Sequence, residues 1–377
     1  MTPESKPLRV LAIEPYYGGS HQAFLDGWIR HSRHHWDIIS LPPHSWKWRM
    51  RHAAIHASEQ IQQRMKTGKS WDLVFCSDML NLVELKGLHP ALFATLPTVL
   101  YFHENQLTYP SQTPREWDHH FVFTNFMSAI AADHVWWNSH FNKNEFLENV
   151  GAFLSRMPDH QPNHLVATIS PKSEVHYPPV ELTNLDRNPS SDLPLICWAA
   201  RWEFDKNPQL FFDAIRILQG QGRGFRISVI GESFDHSPPV FAQARKEFTD
   251  IIHRWGFQPS RNDYWKSLSE SDFFVSTAIH EFFGITAVEA IGCGCFPVLP
   301  QSLAYPEVLQ LDSHPERQCH FFSSSPVELA QHLAHLLDAF ETKQHWPYDP
   351  VRLRESMQQY DIGRRSGEMD RRLNSYI

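Results

Sequence analysis

Short apolar runs recur along the whole chain, each followed by a polar turn and then by a stretch of helical spacing. Residues 8–14, 37–41, 71–77, 97–102 and 133–139 carry such runs in the first half. Residues 195–200, 225–230, 272–277 and 296–299 carry them in the second. A short run that is apolar on both faces reads as a strand buried between helices, hence in a parallel sheet. Strands alternating with helices in both halves predict an α/β chain with two doubly wound parallel sheets. The length, 377 residues, also exceeds what one core of ordinary size accommodates. The domains are placed at residues 1–185 and 186–348. A Pro-bearing stretch at 158–179 and a polar linker at 182–192 lie around their junction. Residues 349–377, charged and helical in tendency, are expected to return to the first domain. No sequence repeat relates the two halves.

Charged residues make up 20% of the chain and hydrophobic ones 42%, the balance of a soluble globular protein. No apolar run approaches the roughly 20 residues that cross a bilayer. The first residues lack the apolar core of a signal peptide, so a cytoplasmic location is expected. Metal ligands are not grouped. Cys293 and Cys295 stand one residue apart without a second cysteine pair, the 24 histidines are scattered, and no Asp-x-Asp pair is present. No metal and no cofactor are therefore expected. The formal charge of −8 does not speak for nucleic-acid binding. One segment departs from that balance. Between His44 and Lys69, the cations Lys47, Arg49, Arg51, Arg64, Lys66 and Lys69 face one acid, Glu59, and are interleaved with Trp46 and Trp48. That mixture suits phosphate contact with base stacking, and it also suits a solvated helix face.

Candidate ligand residues cluster just after the strands, where open α/β sheets bind ligands. Gly18 and Gly19 form a turn after the first strand, with Ser20 placed to cap the next helix. It serves either as a point of close ligand approach or as an ordinary tight turn. His103, Glu104, Asn105 and Gln106 follow the fourth strand. In the second half, Arg201 and Lys206 share one loop and can hold a diphosphate, and Gly231 and Glu232 close the next strand. After the run at 272–277 come His280, Glu281, Phe282, Phe283, Gly284 and Ile285, then a helix that carries Glu289. A helix N-terminus over such a turn favours an anion, while Glu281 and Glu289 suit ligand hydroxyls. With two cations in place of a metal, the set fits a sugar nucleotide bound in a cleft between the domains.

Glu281, Phe282, Phe283, Gly284 and Ile285 through Glu289 resemble the Glu-x(7)-Glu motif of retaining family 4 glycosyltransferases, which have the GT-B fold. Arg201 and Lys206 resemble the phosphate-binding pair of those enzymes. Further fragments are similar to one narrow branch. They are Glu14-Pro15-Tyr16-Tyr17-Gly18-Gly19-Ser20-His21, the Leu41-Pro42-Pro43 and Trp46-Lys47-Trp48-Arg49 pair, Tyr101-Phe102-His103-Glu104-Asn105-Gln106, Met157-Pro158-Asp159-His160 and Arg201-Trp202-Glu203. That branch is the glycosyltransferase-like domain-containing family, which includes tRNA-queuosine alpha-mannosyltransferase. The resemblance implies a retaining transfer of mannose from GDP-mannose to queuosine in tRNA. It assigns the ribose to Glu289, the donor sugar to Glu281 and His103, and the departing diphosphate to Arg201 and Lys206. Backbone around Phe283, Gly284 and Ile285 would assist the sugar or phosphate, and Gly18 and Gly19 would let the first domain approach the phosphates. Glu104 and Asn105 would serve donor or acceptor, and Lys47, Arg49 and Arg51 would meet the tRNA. The other readings are a GT-B enzyme with a small-molecule, lipid or glycan acceptor, and a binding module that keeps the fold without catalysis.

Overall fold

The computed structural model describes residues 6–110, 119–182, 193–234, 237–323 and 325–377. The chain divides into two compact units, one formed by residues 1–179 with 360–377, the other by residues 180–359. The border thus falls at Pro179/Val180, and residues 350–359 stay with the second unit. Of the expected linker, residues 183–192 lie outside the described residues.

The first unit runs β1 (Arg9–Glu14), α1 (Gly19–His31), β2 (His35–Ser40), α2 (Trp46–Lys66), β3 (Leu73–Ser77), α3 (Leu82–Leu88), α4 (Pro90–Phe93), β4 (Thr98–Phe102), α5 (His119–Ala131), β5 (His134–Trp137), α6 (His140–Leu154) and β6 (Ser173–Val175). All six strands are parallel, in the order β2-β1-β3-β4-β5-β6. Alternate residues of each strand serve opposite faces. Leu11, Ile13, Val74, Cys76, Leu100 and Phe102 join one core cluster, and Val10, Ala12, Phe75, Val99 and Tyr101 join the other. Both faces are therefore dry, which is why these strands read as continuous apolar runs. Ser20 sits inside α1 rather than at its start. Gly18 holds the cap position and no side chain caps the helix.

The second unit runs β7 (Leu195–Ala199), α7 (Pro208–Gly220), β8 (Arg226–Ile230), α8 (Val240–Glu247), β9 (Ile252–Gly256), α9 (Arg261–Ser269), β10 (Phe273–Val275), α10 (Ile285–Gly292), β11 (Phe296–Pro300), α11 (Tyr305–Val308), β12 (Phe321–Phe322), α12 (Pro326–Glu341) and α13 (Pro350–Met357). Its six parallel strands are ordered β12-β11-β10-β7-β8-β9. Strand order reverses direction between β7 and β10 here, and between β1 and β3 in the first sheet. Such switch points open a crevice at the carboxyl ends of the strands.

The last helix, α14 (Ile362–Asn374), packs on α1 of the first unit. Its buried Asp370 accepts hydrogen bonds from Trp28 Nε1 (2.8 Å), Ser32 Oγ (2.9 Å) and the Arg33 amide (2.8 Å). Three donors on one buried carboxylate leave little of its desolvation uncompensated and fix the helix in register.

Candidate active site

At the β7/β10 switch point two loops are laced together. The Thr277 hydroxyl lies 2.8 Å from the Lys206 carbonyl and 3.0 Å from that of Asn207, and the Ile279 amide donates to the Asp205 carbonyl at 2.8 Å. This sets Lys206 Nζ 3.1 Å from Asp205 Oδ2 and 3.3 Å from Glu281 Oε2, while it donates to the His280 carbonyl at 3.1 Å. Burial works against the Lys206 charge, but the Glu281 and Asp205 carboxylates outweigh it and hold the ammonium's pKa above its usual value. Arg201, in the same loop, is exposed and pairs with Glu203 at 3.1 Å. Lys206 and Glu281 are thus brought together from positions far apart in the chain.

Gly284 starts α10 with a φ of 99°, and a Cβ there would stand 2.9 Å from the Tyr305 ring. Phe282 and Phe283 are buried beneath the turn and Ile285 is half-buried. Glu289, one turn into the helix, is buried and accepts from Arg261 Nη2 at 2.8 Å and from the Tyr264 hydroxyl at 2.7 Å. Burial raises its pKa, against the pull of Arg261 and Tyr264. A carboxylate with two partners still has lone pairs for ligand hydroxyls. Gly231 closes β8 at a φ of 151°, pressed so close to β7 that a Cβ would lie 1.7 Å from the Ala200 carbonyl oxygen. Glu232 beside it is exposed, and its carbonyl accepts from the Trp202 amide at 2.8 Å.

The β1/β3 switch point of the first sheet holds a second constellation. Glu14, the last residue of β1, is buried and accepts from Ser77 Oγ and the Tyr16 amide, each at 2.9 Å. Its other neighbours are His21 Nδ1 at 3.3 Å, an ion contact rather than an aligned hydrogen bond, and His103 Nε2 at 3.8 Å. The imidazoles of His21 and His103 stack with centroids 4.0 Å apart. Asp78 follows β3, is fully buried, and accepts the His103 amide at 2.9 Å. Burial disfavours the His21 charge, yet Glu14, Asp78 and Glu104 push its pKa up to about 9. Burial and the cationic His21 push His103 the other way, well below the usual histidine range. His103 is therefore a neutral imidazole, able to donate from one nitrogen and accept at the other.

Glu14, His21 and His103 bring their ligand atoms within 4.8 Å of one another, a spacing that a metal ion accepts. The two rings lie face to face at 29°, so their in-plane lone pairs run side by side instead of converging. As they stand, Glu14 lies 3.3 Å from His21 Nδ1 and 3.8 Å from His103 Nε2, a network of charge contacts.

Two of the expected site residues are engaged inside the fold. Asn105 is fully buried, donating to Asn142 Oδ1 at 2.8 Å and accepting from the amides of Leu107 and Thr108, so it staples its own loop and is no acceptor contact. Arg49 is buried, and its guanidinium donates to the Pro42 carbonyl at 3.0 Å and meets the His44 ring, so it is not part of an RNA-facing surface. Glu104 stays partly exposed, with its Oε1 accepting from Gln106 at 2.9 Å, and Lys47 and Arg51 are exposed. The close approach at Gly18 is to Pro43 Cγ, 2.3 Å from where a Cβ would be, and Gly19 is the first residue of α1. Sequence reasoning missed Asp205, Glu14, His21, Asp78, Arg261 and Tyr264. A charged residue directly after an apolar strand was the available signal for Glu14 and Asp78.

Residues 9–180 match the N-terminal domain of tRNA-queuosine alpha-mannosyltransferase, and residues 184–348 match the glycosyl transferases group 1 family. The chain is 37% identical to the tRNA-queuosine alpha-mannosyltransferase of Drosophila melanogaster over 319 residues, 81% of this chain and 82% of that one. It is 27% identical over 120 residues, 32% of this chain and 30% of that one, to a GDP-mannose-dependent phosphatidylinositol dimannoside mannosyltransferase of Mycobacterium tuberculosis. Among solved structures, Anabaena HepE in complex with UDP superposes with a TM-score of 0.69 at 14% identity, over 97% of this chain and all of that one. Its two parallel α/β sheets and the extent of these matches place the chain in the tRNA-queuosine alpha-mannosyltransferase family of glycosyltransferases, on a GT-B fold.

Proposed function

We propose that this chain transfers mannose from GDP-mannose to queuosine in tRNA with retention of configuration, in the cytoplasm. The observation that carries the reading is the partly buried Lys206–Glu281 pair at the β7/β10 switch point, in a chain whose residues 9–180 match the queuosine branch. Lys206, held charged, and Arg201 receive the diphosphate and stabilise its charge as the anomeric carbon–oxygen bond breaks. The acceptor hydroxyl forms the new bond on the same face, and its proton passes to the departing phosphate oxygen, so no enzyme nucleophile is required. Glu281 exchanges part of its contact with Lys206 for hydroxyls of the sugar, and Glu289 takes those of the ribose. The neutral His103 contacts the donor sugar. No metal enters this scheme, since the two cations supply the positive charge. Among the described residues no helix is long and apolar enough to cross a membrane.

The test incubates the protein with labelled GDP-mannose and tRNA that contains or lacks queuosine. Label entering only the queuosine-containing tRNA is expected. Donor hydrolysis with neither tRNA labelled overturns the reading.

A further inference from the structure

We propose that the exposed face at the start of α2, beside the buried Phe121 of α5, is a stacking site for an unpaired nucleobase of an RNA loop. Trp48 is 61% exposed and Ile55 57% exposed, and with Arg51 they form one stripe of the helix at i, i+3 and i+7. A tryptophan left this open is a contact surface rather than core. Its ring is held flat by His52, with centroids 4.7 Å apart and planes 16° off parallel. Lys47, Trp48, Arg51, His120 and Phe121 line an open pocket of about 360 Å³, large enough for a small ligand.

The charge pattern names the occupant. From Trp46 to Ser58 the helix contains Lys47, Arg49 and Arg51 and no acid, in a chain of net charge −8. Arg49 is spent on Pro42 and His44, which leaves Lys47 and Arg51 at the pocket. Cations beside a flat aromatic platform match a nucleotide, whose phosphate takes the charge and whose base takes the ring. An apolar protein partner leaves the two cations unexplained, and an acidic peptide leaves the flat ring unused.

The pocket also adjoins the ligand end of the first sheet. Phe121 packs with Met50, Met79 and Tyr16, Tyr16 contacts the His21 ring at 5.9 Å, and His21 stacks on His103. A base stacked on Trp48 therefore anchors an RNA loop on the same edge as His103. The inference rests on RNA being the acceptor and adds where one of its bases is held.

The experiment measures binding of the full chain to an anticodon stem-loop hairpin lacking the modified base, and to a fully paired duplex of the same stem. Trp48→Ala is expected to weaken hairpin binding by about tenfold, the loss of one base–aromatic stack, and to leave GDP-mannose binding unchanged. Lys47→Glu with Arg51→Glu should weaken both RNAs and flatten the salt dependence. Unchanged hairpin affinity in Trp48→Ala, or competition by polyglutamate equal to that by the hairpin, overturns the pocket even if queuosine tRNA is mannosylated. A wild-type chain that holds the hairpin through Trp48 yet labels no queuosine tRNA overturns the acceptor reading and leaves the pocket standing. A chain that binds no hairpin overturns the pocket, while the labelling of queuosine tRNA alone decides the acceptor.

Discussion

His21 lies face to face with His103, 4.0 Å between ring centroids, with its Nδ1 3.3 Å from Glu14. Two imidazoles in contact cannot both be charged cheaply, and the surrounding carboxylates decide which one is. His21 takes the proton and His103 is kept neutral, a division of roles set chiefly by Glu14 at the β1/β3 switch point, since burial lifts the carboxyl of Asp78 well above the usual carboxylate range.

That division gives the fold a pH dependence of known sign. Burial opposes the charge on His21, but the carboxylates win, so its folded pKa of about 9 stands above the ordinary 6.5. The protonated state then stabilises the fold fully below 6.5, and the contribution disappears as pH rises through about 9. At 1.36 kcal/mol per unit the contribution is roughly 3 kcal/mol at most. Urea titrations of wild type should show stability falling across this window, with the fall largely absent in His21→Gln. Parallel curves for the two proteins remove His21 from the account.

Removing the Lys206 ammonium leaves Asp205 and Glu281 facing each other uncompensated. Lys206→Met should cost about 3 kcal/mol of stability, the low end for taking one partner from a buried pair, because Asp205 is buried but Glu281 is partly exposed. If the ammonium also meets the leaving diphosphate, kcat should fall about 100-fold or more at saturating donor. A variant that loses stability but keeps its turnover would mean that Lys206 is only a structural counter-ion.

Glu289 already accepts from Arg261 and Tyr264, so its truncation bears on both ligand and protein partners. Glu289→Ala should raise the dissociation constant for GDP-mannose by about tenfold or more, from roughly 1.5–3 kcal/mol for a charged hydrogen bond. Calorimetric titration reads this directly. An unaltered constant would confine Glu289 to holding α9 against α10.

The sequence carried the central strands well, because residues such as Val10, Val74, Leu100 and Ile227 are buried between two helical layers and leave an apolar run. It did not carry β6, β9 or β12, each of which is the edge of its sheet. Ser173–Val175 and Ile252–Gly256 are only half-buried and hold Glu174, His253 and Arg254, so no apolar run marks them. Within the site, Lys206 and Glu281 were legible because each stands in a loop right after a strand. Glu14, His21 and Asp78 come from three separate elements, and only pairing β1 with β3 brings them together. Asn105 and Arg49 show the opposite failure. Their side chains suit ligand contact, but Asn142 and Pro42 claim them first, and those neighbours are set by the fold.

Gly231 offers a test of how tightly the second switch point is assembled. A Cβ there would lie 1.7 Å from the Ala200 carbonyl oxygen, in a backbone region where side chains are strained in any case. Because the obstacle is main chain, no rotamer change relieves it, and β7 and β8 must separate. Gly231→Ala should therefore destabilise by about 3 kcal/mol or more, at the upper end of overpacking penalties. It should also displace the loop that carries Arg201 and Lys206. Gly222→Ala is the control, with a positive φ of 72° and nothing within 4 Å of the new atom. Its cost should stay at the roughly 1–2 kcal/mol of the backbone strain alone. Thermal melts of the two variants, together with their GDP-mannose affinities, separate the effects. Equal melting temperatures would show that the β7–β8 contact yields easily, and that Gly231 serves the turn rather than the site.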